Sequence, residues 1–397
     1  MSTLEELERD YNSKLSILKL SPSEASQVEL KKVKGLLRLH KKTNKEIRGN
    51  EPNPSYGAYP PPTDILLSQS DSDFTLSFCI SDEANAKAFF DDWGFVVFDD
   101  VLSSAQCART VTEICELQNL NVDDPKTWSS NRYGLPDDPA IFSEQILSNR
   151  QEPALFAAIS NILGTENILV SHDRYCVYPP THNETSNKTE NPPLHLDICP
   201  WSYSGKRSDP ENDAERLDYE HSYDFREEMN KVLAKFGPHH KGVISLVDNR
   251  VNDGGTVLVP RFHKVFDSWA GLLGEFGDNR RGQRRRGCSY SFFDKDDPIH
   301  SLKRRITVKK GGLLLWNMKV VHGAVPNENS KNFRFAQFVR GFLASEISPE
   351  RQFKRNEAIK REIKKAGLRN VAARSTDSRC LLGFTGLPAE PEGEEQE

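Results

Sequence analysis

The chain has 397 residues, with 53 Lys and Arg against 58 Asp and Glu, and a formal net charge of −5. This balance excludes polyanion binding by bulk charge, so any basic function must be local. The 7 cysteines are scattered, which favours reduced thiols over a disulfide framework or a zinc knuckle. An acidic N-terminus and the lack of a long apolar run indicate neither a leader peptide nor a membrane span, so we expect a cytoplasmic protein.

The first part of the chain predicts helices and then a linker. Leucines at spacings of three and four predict a helical segment over residues 1–50. The proline-rich stretch 51–63 predicts an extended linker. The main domain is expected over residues 64–346, and it opens with a short helix, Gly94, and an apolar strand over residues 95–98. Ser103 or Ser104 is predicted to cap the helix that follows.

Short strands dominate the remainder of the predicted domain. A helix is expected over residues 151–163 and a strand over residues 167–178. Further strands are expected at 194–197, 242–248, 256–259, near 306–308, and from Gly311 onward. Helices first and then many short strands predict a mixed α+β or mainly β fold with a double-stranded β-helix (jelly-roll) core buttressed by helices.

The regions outside that core are predicted from composition. Residues 202–240 are highly charged and predict an insertion or a lid. Residues 347–368 predict a basic helix, which starts at Ser348-Pro349-Glu350 and carries a thin apolar stripe of Phe353, Ile359 and Ile363. We expect this helix to dock on its own domain. Residues 369–397 predict a disordered tail.

Two His-x-Asp/Glu pairs are candidates for metal binding, although composition alone yields roughly 1.5 such pairs by chance. His182-Asn183-Glu184 lies in a polar loop. His195-Leu196-Asp197 lies among alternating apolar residues, which predicts a half-buried strand with both polar side chains on one face. His322 is predicted at the end of the apolar strand 313–316, and a third ligand is expected from a strand that pairs beside the first. Two imidazoles and one carboxylate leave three positions of Fe(II) open for a bidentate cosubstrate and dioxygen.

Four segments together resemble the phytanoyl-CoA dioxygenase family of Fe(II)/2-oxoglutarate oxygenases. GGLLLWNMKVVHGAVPN (311–327), with a following arginine, is similar to the C-terminal signature of that family. HLD (195–197) is similar to its His-x-Asp element, and DWGFVVFDDVLSSAQC (92–107) to its opening strand and capped helix. NDGGTVLVPRFH (252–263) resembles an internal segment of the family. The patches extend over roughly residues 85–345, and their order makes the resemblance specific.

The resemblance implies functional residues at matching positions. His195, Asp197 and His322 would bind iron, and Arg334 would pair with the distal carboxylate of 2-oxoglutarate, for which a planar guanidinium is well suited. Arg340 is the alternative, because an offset of six keeps it on the same strand face. Many members carry a hydroxyl residue where this chain has Ala324. Four other residues could supply that contact: Tyr178, Tyr175, Thr256 and Trp201.

The implied activity is that of a non-haem iron dioxygenase that uses Fe(II), 2-oxoglutarate and O2. It would hydroxylate or otherwise oxidise a small organic or acyl-type substrate and release succinate and CO2. In related halogenases a small residue replaces the carboxylate ligand, so the presence of Asp197 favours oxidation. The alternatives are a catalytically silent jelly-roll binding protein, or an oxygenase that acts on nucleic acid or protein through the basic loop 279–286. That loop lacks interleaved aromatic residues, so we favour a small-molecule substrate, with neither a nucleic-acid nor a membrane partner. The oligomeric state stays open.

Overall fold

The computed structural model describes residues 57–128, 142–181, 194–198, 240–273, 291–293, 297–329, 331–346 and 349–368, together with positions 13 and 200. The chain divides into two units, Met1–Gly57 and Ala58–Glu397, and nearly all described residues belong to the second. Several predictions fall outside the described residues. They concern the helical segment 1–50, the polar loop 182–184, most of the insertion 202–240, the basic loop 279–286 and the tail 369–397.

Six α-helices are present in the described residues. They are α1 (Glu83–Trp93), α2 (Ser104–Gln118), α3 (Glu144–Asn149), α4 (Pro153–Leu163), α5 (Phe262–Leu272) and α6 (Pro349–Lys365). The predicted cap of α2 is confirmed, because the Ser103 side chain accepts a hydrogen bond from the Gln106 backbone, and the Gln106 side chain accepts one from the Ser103 backbone. Helix α5 was not predicted. Its N-cap, Arg261, has a φ of 65° and makes no side-chain cap, so the usual start signal is missing.

Eleven short strands form two antiparallel sheets in the described residues. The strands are β1 (Phe95–Phe98), β2 (Ile168–Val170), β3 (Tyr175–Tyr178), β4 (His195–Leu196), β5 (His240–Ser245), β6 (Gly255–Leu258), β7 (Ser291–Phe292), β8 (Arg304–Arg305), β9 (Leu313–Asn317), β10 (His322–Val325) and β11 (Arg334–Leu343). The first sheet has the order β1-β9-β5-β11-β2, with β3 also paired to β11. The second has the order β7-β4-β10-β6-β8.

Three apolar clusters show how the layers stack. One lies between the outer face of the first sheet and helices α1–α4, and includes Leu315, Val339 and Ile159. The second lies between the two sheets, and includes Val243, Leu258 and Trp316. The third covers the outer face of the second sheet, where α5 packs. Two facing sheets, each covered outside by helix, confirm the predicted jelly-roll core with helical support.

The structure corrects the predicted connections around the C-terminal strands. Strands β9 and β11, which follow one another closely in the C-terminal segment, are not neighbours in the first sheet, because β5 lies between them. His322 does not end the apolar strand but begins β10 in the second sheet. The predicted strand 167–178 is two strands, β2 and β3, which both pair with the same edge of the long strand β11. The chain between them brings Asp173 Oδ2 to within 3.6 Å of Arg340 Nε on β11.

The C-terminal helix α6 docks on the domain, as predicted. Arg355, Ile359 and Ile363 are buried, and Arg355 donates a hydrogen bond to the Val170 carbonyl at 3.0 Å. Phe353 was wrongly placed in the docking stripe, since its side chain is 66% exposed. None of the helices in the described residues is long and apolar enough to cross a membrane. The predicted cytoplasmic location stays a prediction.

Candidate active site

The two predicted histidines meet in the second sheet. Strands β4 and β10 are antiparallel, and His195 and His322 are direct Cα partners, so their side chains leave the sheet on the same face. Their ring centroids are 4.4 Å apart. Asp197 follows two residues after His195, and one candidate ligand atom from each of the three side chains lies within 4.8 Å of the others. The predicted set is thus brought together between the sheets.

The protonation and hydrogen bonding of these residues fit a metal ion. His322 Nδ1 lies 3.1 Å from the Val320 carbonyl, an arrangement that puts the proton on Nδ1 and leaves the Nε2 lone pair for a metal. Burial, together with the neighbouring His195, lowers the pKa of His322 to about 4, so the ring is neutral at pH 7. His322 Nε2 and Asp197 Oδ1 are buried and make no hydrogen bond to another described residue. A bound Fe(II) would satisfy both atoms.

Two basic side chains hold the other carboxylate oxygen of Asp197. Lys241 Nζ contacts Asp197 Oδ2, and Arg340 Nη2 lies 3.6 Å from the same oxygen. Burial acts to raise the pKa of Asp197, but Lys241 and the two histidines lower it well below its usual range. Arg340 also reaches Asp173 Oδ2 at 3.6 Å. The pair therefore orients Asp197 and leaves Oδ1 facing His195 Nε2, 3.5 Å away.

Arg334 lies in a separate basic pocket on the same face of β11. It is 3% exposed, and its guanidinium carbon stands 4.8 Å from the centre of the Tyr178 ring. Arg305 is close by. Burial, followed by the positive charge of Arg334, lowers the pKa of Arg305 to about 9. Two guanidinium groups that repel each other, one buried and one half-buried, make an attractive place for a carboxylate.

Gly255, in the turn that precedes the rest of strand β6, leaves the space through which Arg305 enters this pocket. A Cβ on Gly255 would lie 2.8 Å from Arg305 Nη2. Gly255 also has a φ of 134°, which favours glycine. Arg305 donates to Asn249 Oδ1 at 2.7 Å and to the Arg250 carbonyl at 3.0 Å, which orders the turn that leads into β6.

Thr256 lies beside the position where many family members carry a hydroxyl residue. Ala324 and Thr256 are direct Cα partners of β10 and β6, one step along from the pair of His322 and Leu258. Partners of this kind share a face with their Cβ atoms about 5 Å apart. Arg305 Nη1 donates to the Thr256 carbonyl at 3.3 Å, so Thr256 also adjoins the Arg334 pocket.

The remaining candidate cosubstrate contacts, and two histidines outside the triad, lie elsewhere or outside the described residues. Tyr175 faces the helices, where it accepts a hydrogen bond from Gln118 at 3.0 Å, and it is therefore wrong as a cosubstrate contact. Trp201 lies outside the described residues. His240 packs on the Phe90 ring, and His263 Nε2 lies 3.1 Å from the Asp91 carbonyl. Neither histidine belongs to the candidate metal group in the described residues.

Comparison with known proteins decides the family. The model of the phytanoyl-CoA dioxygenase (PhyH) family matches residues 90–336, which is more than half of the chain. The chain belongs to the phytanoyl-CoA dioxygenase family. A Dictyostelium discoideum protein named "Putative phytanoyl-CoA dioxygenase" is 32% identical over 290 residues, covering 70% of this chain and 80% of that protein. Family membership makes the chain a 2-oxoglutarate-dependent non-haem iron dioxygenase, as predicted.

One solved structure of low sequence identity shares the fold, and a second aligns more weakly. The GlcNAc Inducible Gene 2 protein (DUF1479) of Candida albicans aligns with a TM-score of 0.52 at 14% identity, covering 80% of this chain and 81% of that one. The epimerase SnoN, solved with Fe3+, alpha ketoglutarate and nogalamycin RO, aligns with a TM-score of 0.42 at 13% identity, covering 66% of this chain and 84% of SnoN.

Sequence reasoning missed Lys241 and the role of Trp316. The predicted strand began at residue 242, two positions after the start of β5 at His240, so the alternation of Lys241 and Val243 on the inner face of β5 was overlooked. The signal was present, because Gly242 and Ile244 alternate on the other face. Trp316 was regarded only as part of an apolar run, but its ring lies 5.2 Å from that of His322 between centroids.

Proposed function

We propose that this protein oxidises a small organic molecule, with Fe(II) held by His195, Asp197 and His322 and 2-oxoglutarate anchored by Arg334. The observation that carries the proposal is the arrangement of the inter-sheet space. The triad lies on the second sheet, and a buried arginine pocket on the first sheet opens into the same space. When bound, Fe(II) supplies the oxidising chemistry of dioxygen, with conversion of 2-oxoglutarate to succinate and CO2.

The residues of the chain perform positioning and charge control. His195 and His322 present neutral imidazoles, and Lys241 and Arg340 hold Asp197 ionised at neutral pH. Arg334 neutralises the distal carboxylate, and Thr256 and Tyr178 complete its pocket. The apolar inner faces of the sheets exclude water around this polar strip, which strengthens every charge interaction in it.

Arg334, and not Arg340, is proposed as the cosubstrate anchor. Arg340 Nη2 lies 3.6 Å from a carboxylate oxygen of the metal ligand Asp197. The two carboxylates of 2-oxoglutarate are separated by three carbon atoms, so a diacid whose near end is on the metal must place its far end away from the triad. Arg334 stands six residues along β11, next to Thr256 and Arg305, on the side where many family members place a hydroxyl.

Succinate formation from 2-oxoglutarate tests the proposal. The wild type should convert 2-oxoglutarate in the presence of Fe(II), and His195→Ala should not. Arg334→Met should raise the KM for 2-oxoglutarate by about 100-fold, the effect of losing a charge-assisted pair. Arg250→Met is the matched control, since Arg250 is an exposed arginine paired with Asp73. Binding of metal and 2-oxoglutarate without succinate would identify a silent binding protein. If neither binds, the enzyme proposal fails.

A further inference from the structure

A lysine of the first sheet reaches across the inter-sheet space to a candidate metal ligand beside the second. Lys241 lies on β5, and its Nζ donates a hydrogen bond to Oδ2 of Asp197, the residue that follows β4. The side chains of Lys241 and Asp197 are only 12% and 2% exposed. The contact therefore joins the two sheets at the triad, in a place where water screens charge weakly.

Both carboxylate oxygens of Asp197 lie close to the candidate histidine ligands. Oδ1 is 3.5 Å from His195 Nε2, and Oδ2 is 3.3 Å from His322 Nε2. Without Lys241, the carboxylate could offer either oxygen, or both, to one metal ion. A carboxylate binds metals through one oxygen or through two, and the second oxygen takes a coordination position of its own.

The number of carboxylate oxygens on the metal decides how many positions of Fe(II) stay open. Two imidazoles and one carboxylate oxygen leave three positions open. A bidentate cosubstrate takes two of these, and dioxygen needs the third. If the carboxylate bound through both oxygens, the position for dioxygen would be filled.

Lys241 is placed to keep one oxygen of Asp197 away from the metal. Its ammonium contacts Oδ2, whereas Oδ1 is buried and makes no hydrogen bond to another described residue. A cation on Oδ2 repels a second cation from that oxygen, so Oδ1 is the better donor to a metal. Arg340 gives weaker support, because its Nη2 lies 3.6 Å from Oδ2, which is longer than a hydrogen bond.

Trp316 borders the ammonium of Lys241 on the same face of the sheet. The two residues are Cα partners on β9 and β5, so their side chains leave the sheet on one side. Lys241 Nζ lies 5.9 Å from the centre of the Trp316 ring, which is within cation–π range. The same ring is 5.2 Å from that of His322 between centroids. One aromatic side chain thus limits the movement of both the lysine and a candidate metal ligand.

We propose that Lys241 is a positioning residue that restricts Asp197 to one metal-bound oxygen and so keeps a coordination position open for dioxygen. This inference rests on the proposed function, because it concerns one ligand of the same iron site. A lysine that only joined the two sheets would affect stability or metal affinity. The positioning role predicts instead a change in the number of open positions, which can be measured without turnover.

The relaxation rate of water protons reports how many exchanging water molecules are bound to Mn(II). In the wild type, 2-oxoglutarate should displace two of three bound waters and leave roughly one third of the relaxation enhancement. Lys241→Met should show roughly two thirds of the wild-type enhancement before 2-oxoglutarate is added and almost none afterwards. Equilibrium dialysis should show that Lys241→Met binds Mn(II) at least as tightly as the wild type, because it loses a nearby positive charge and no ligand.

Two further variants test whether the effect belongs to the contact with Asp197. Lys241→Arg keeps a charged donor for Oδ2 and should restore the wild-type water count. Lys319→Met is the matched control, since Lys319 Nζ also contacts a carboxylate, that of Asp267, and lies 5.1 Å from the centre of the Phe266 ring. This variant should leave both the water count and the Mn(II) affinity unchanged.

The outcomes separate this proposal from the proposed function. If the wild type does not bind Mn(II), or if 2-oxoglutarate leaves its relaxation unchanged, the proposed function fails. If 2-oxoglutarate removes all of the wild-type enhancement, the positioning role is wrong while the proposed function stands, and this result needs no variant to fold. A wild-type water count in Lys241→Met, or loss of Mn(II) binding by it, would also overturn the positioning role.

Discussion

The position of the cosubstrate hydroxyl contact gives a sharp prediction. Many relatives carry a hydroxyl two residues after the second histidine, and this chain has Ala324 there. The structure pairs Ala324 with Thr256 on the neighbouring strand, and Thr256 is 8% exposed. We infer that Thr256 supplies this hydroxyl from the neighbouring strand. Thr256→Val, which keeps the shape and removes the hydroxyl, should weaken 2-oxoglutarate binding.

The magnitude follows from the kind of bond that is lost. A hydrogen bond to a charged group contributes about 1.5–3 kcal/mol, and 1.4 kcal/mol changes an affinity tenfold. Thr256→Val should thus raise the Kd for 2-oxoglutarate by at least about tenfold. Ala324→Ser in the Thr256→Val background should recover most of that loss, because the new hydroxyl lies about 5 Å from the old one on the same face.

Calorimetric titration of 2-oxoglutarate into the Mn(II)-loaded protein measures both effects. The four proteins of the double-mutant cycle give the coupling between the two positions. Thr112→Val is the control, since its hydroxyl donates only to the Ala108 carbonyl on helix α2. A change of less than twofold for Thr256→Val, or no recovery on adding Ala324→Ser, would refute the idea that the hydroxyl has moved between strands.

Three further predictions concern the metal, the backbone and pH. His322→Ala should lower Mn(II) affinity by roughly 100-fold while the fold persists, as measured by equilibrium dialysis and circular dichroism; retained affinity would contradict the ligand assignment. Gly94→Ala should destabilise by about 2–4 kcal/mol in chemical denaturation, because Gly94 has a φ of 79° and a Cβ would lie 2.4 Å from His263 Nδ1. Gly164→Ala, at a φ of 71° with open space, should cost only about 1 kcal/mol, and equal effects would disprove the packing argument. Burial, followed by Arg150 and Arg355, lowers the pKa of His172 well below 6.5. Below pH 6.5 the unfolded chain therefore binds a proton at His172 that the folded protein does not bind. The free energy of unfolding should fall by about 1 kcal/mol between pH 6.5 and 5.5. His172→Phe should flatten that slope, and an unchanged slope would assign it to other groups.

The candidate metal ligands could be predicted because local alternation and the family pattern agree on them. His195 and Asp197 stand two residues apart among apolar neighbours, and His322 lies in a recognisable segment. Their meeting required a pairing of β4 with β10 across more than a hundred residues, which the sequence only suggests through the chemistry of the site. The register of His195 with His322 confirms the expectation that the ligand strands are neighbours.

The strand order of the first sheet and the contact of Lys241 with Asp197 could not be predicted, because both depend on pairing between strands that are distant in the sequence. Strand β5 inserts between β9 and β11, and no local pattern around Gly311 indicates an intervening strand. The contact of Lys241 with Asp197 follows from that insertion. The start of helix α5 at Arg261 was missed for a different reason, since a left-handed residue takes the place of a capping side chain.

The inner face of β11 organises the whole inter-sheet space. Arg334 and Arg340 are six residues apart on one face, which separates their Cα atoms by about 20 Å. The triad sits close to Arg340, and the Arg305 and Thr256 pocket sits close to Arg334. One strand therefore supplies a cation to each end of the site, beside Asp197 at one end and beside the Arg305 and Thr256 pocket at the other. Because Arg340 is already paired with Asp197, Arg334 is the arginine of β11 that is placed to receive the distal carboxylate under the proposed function.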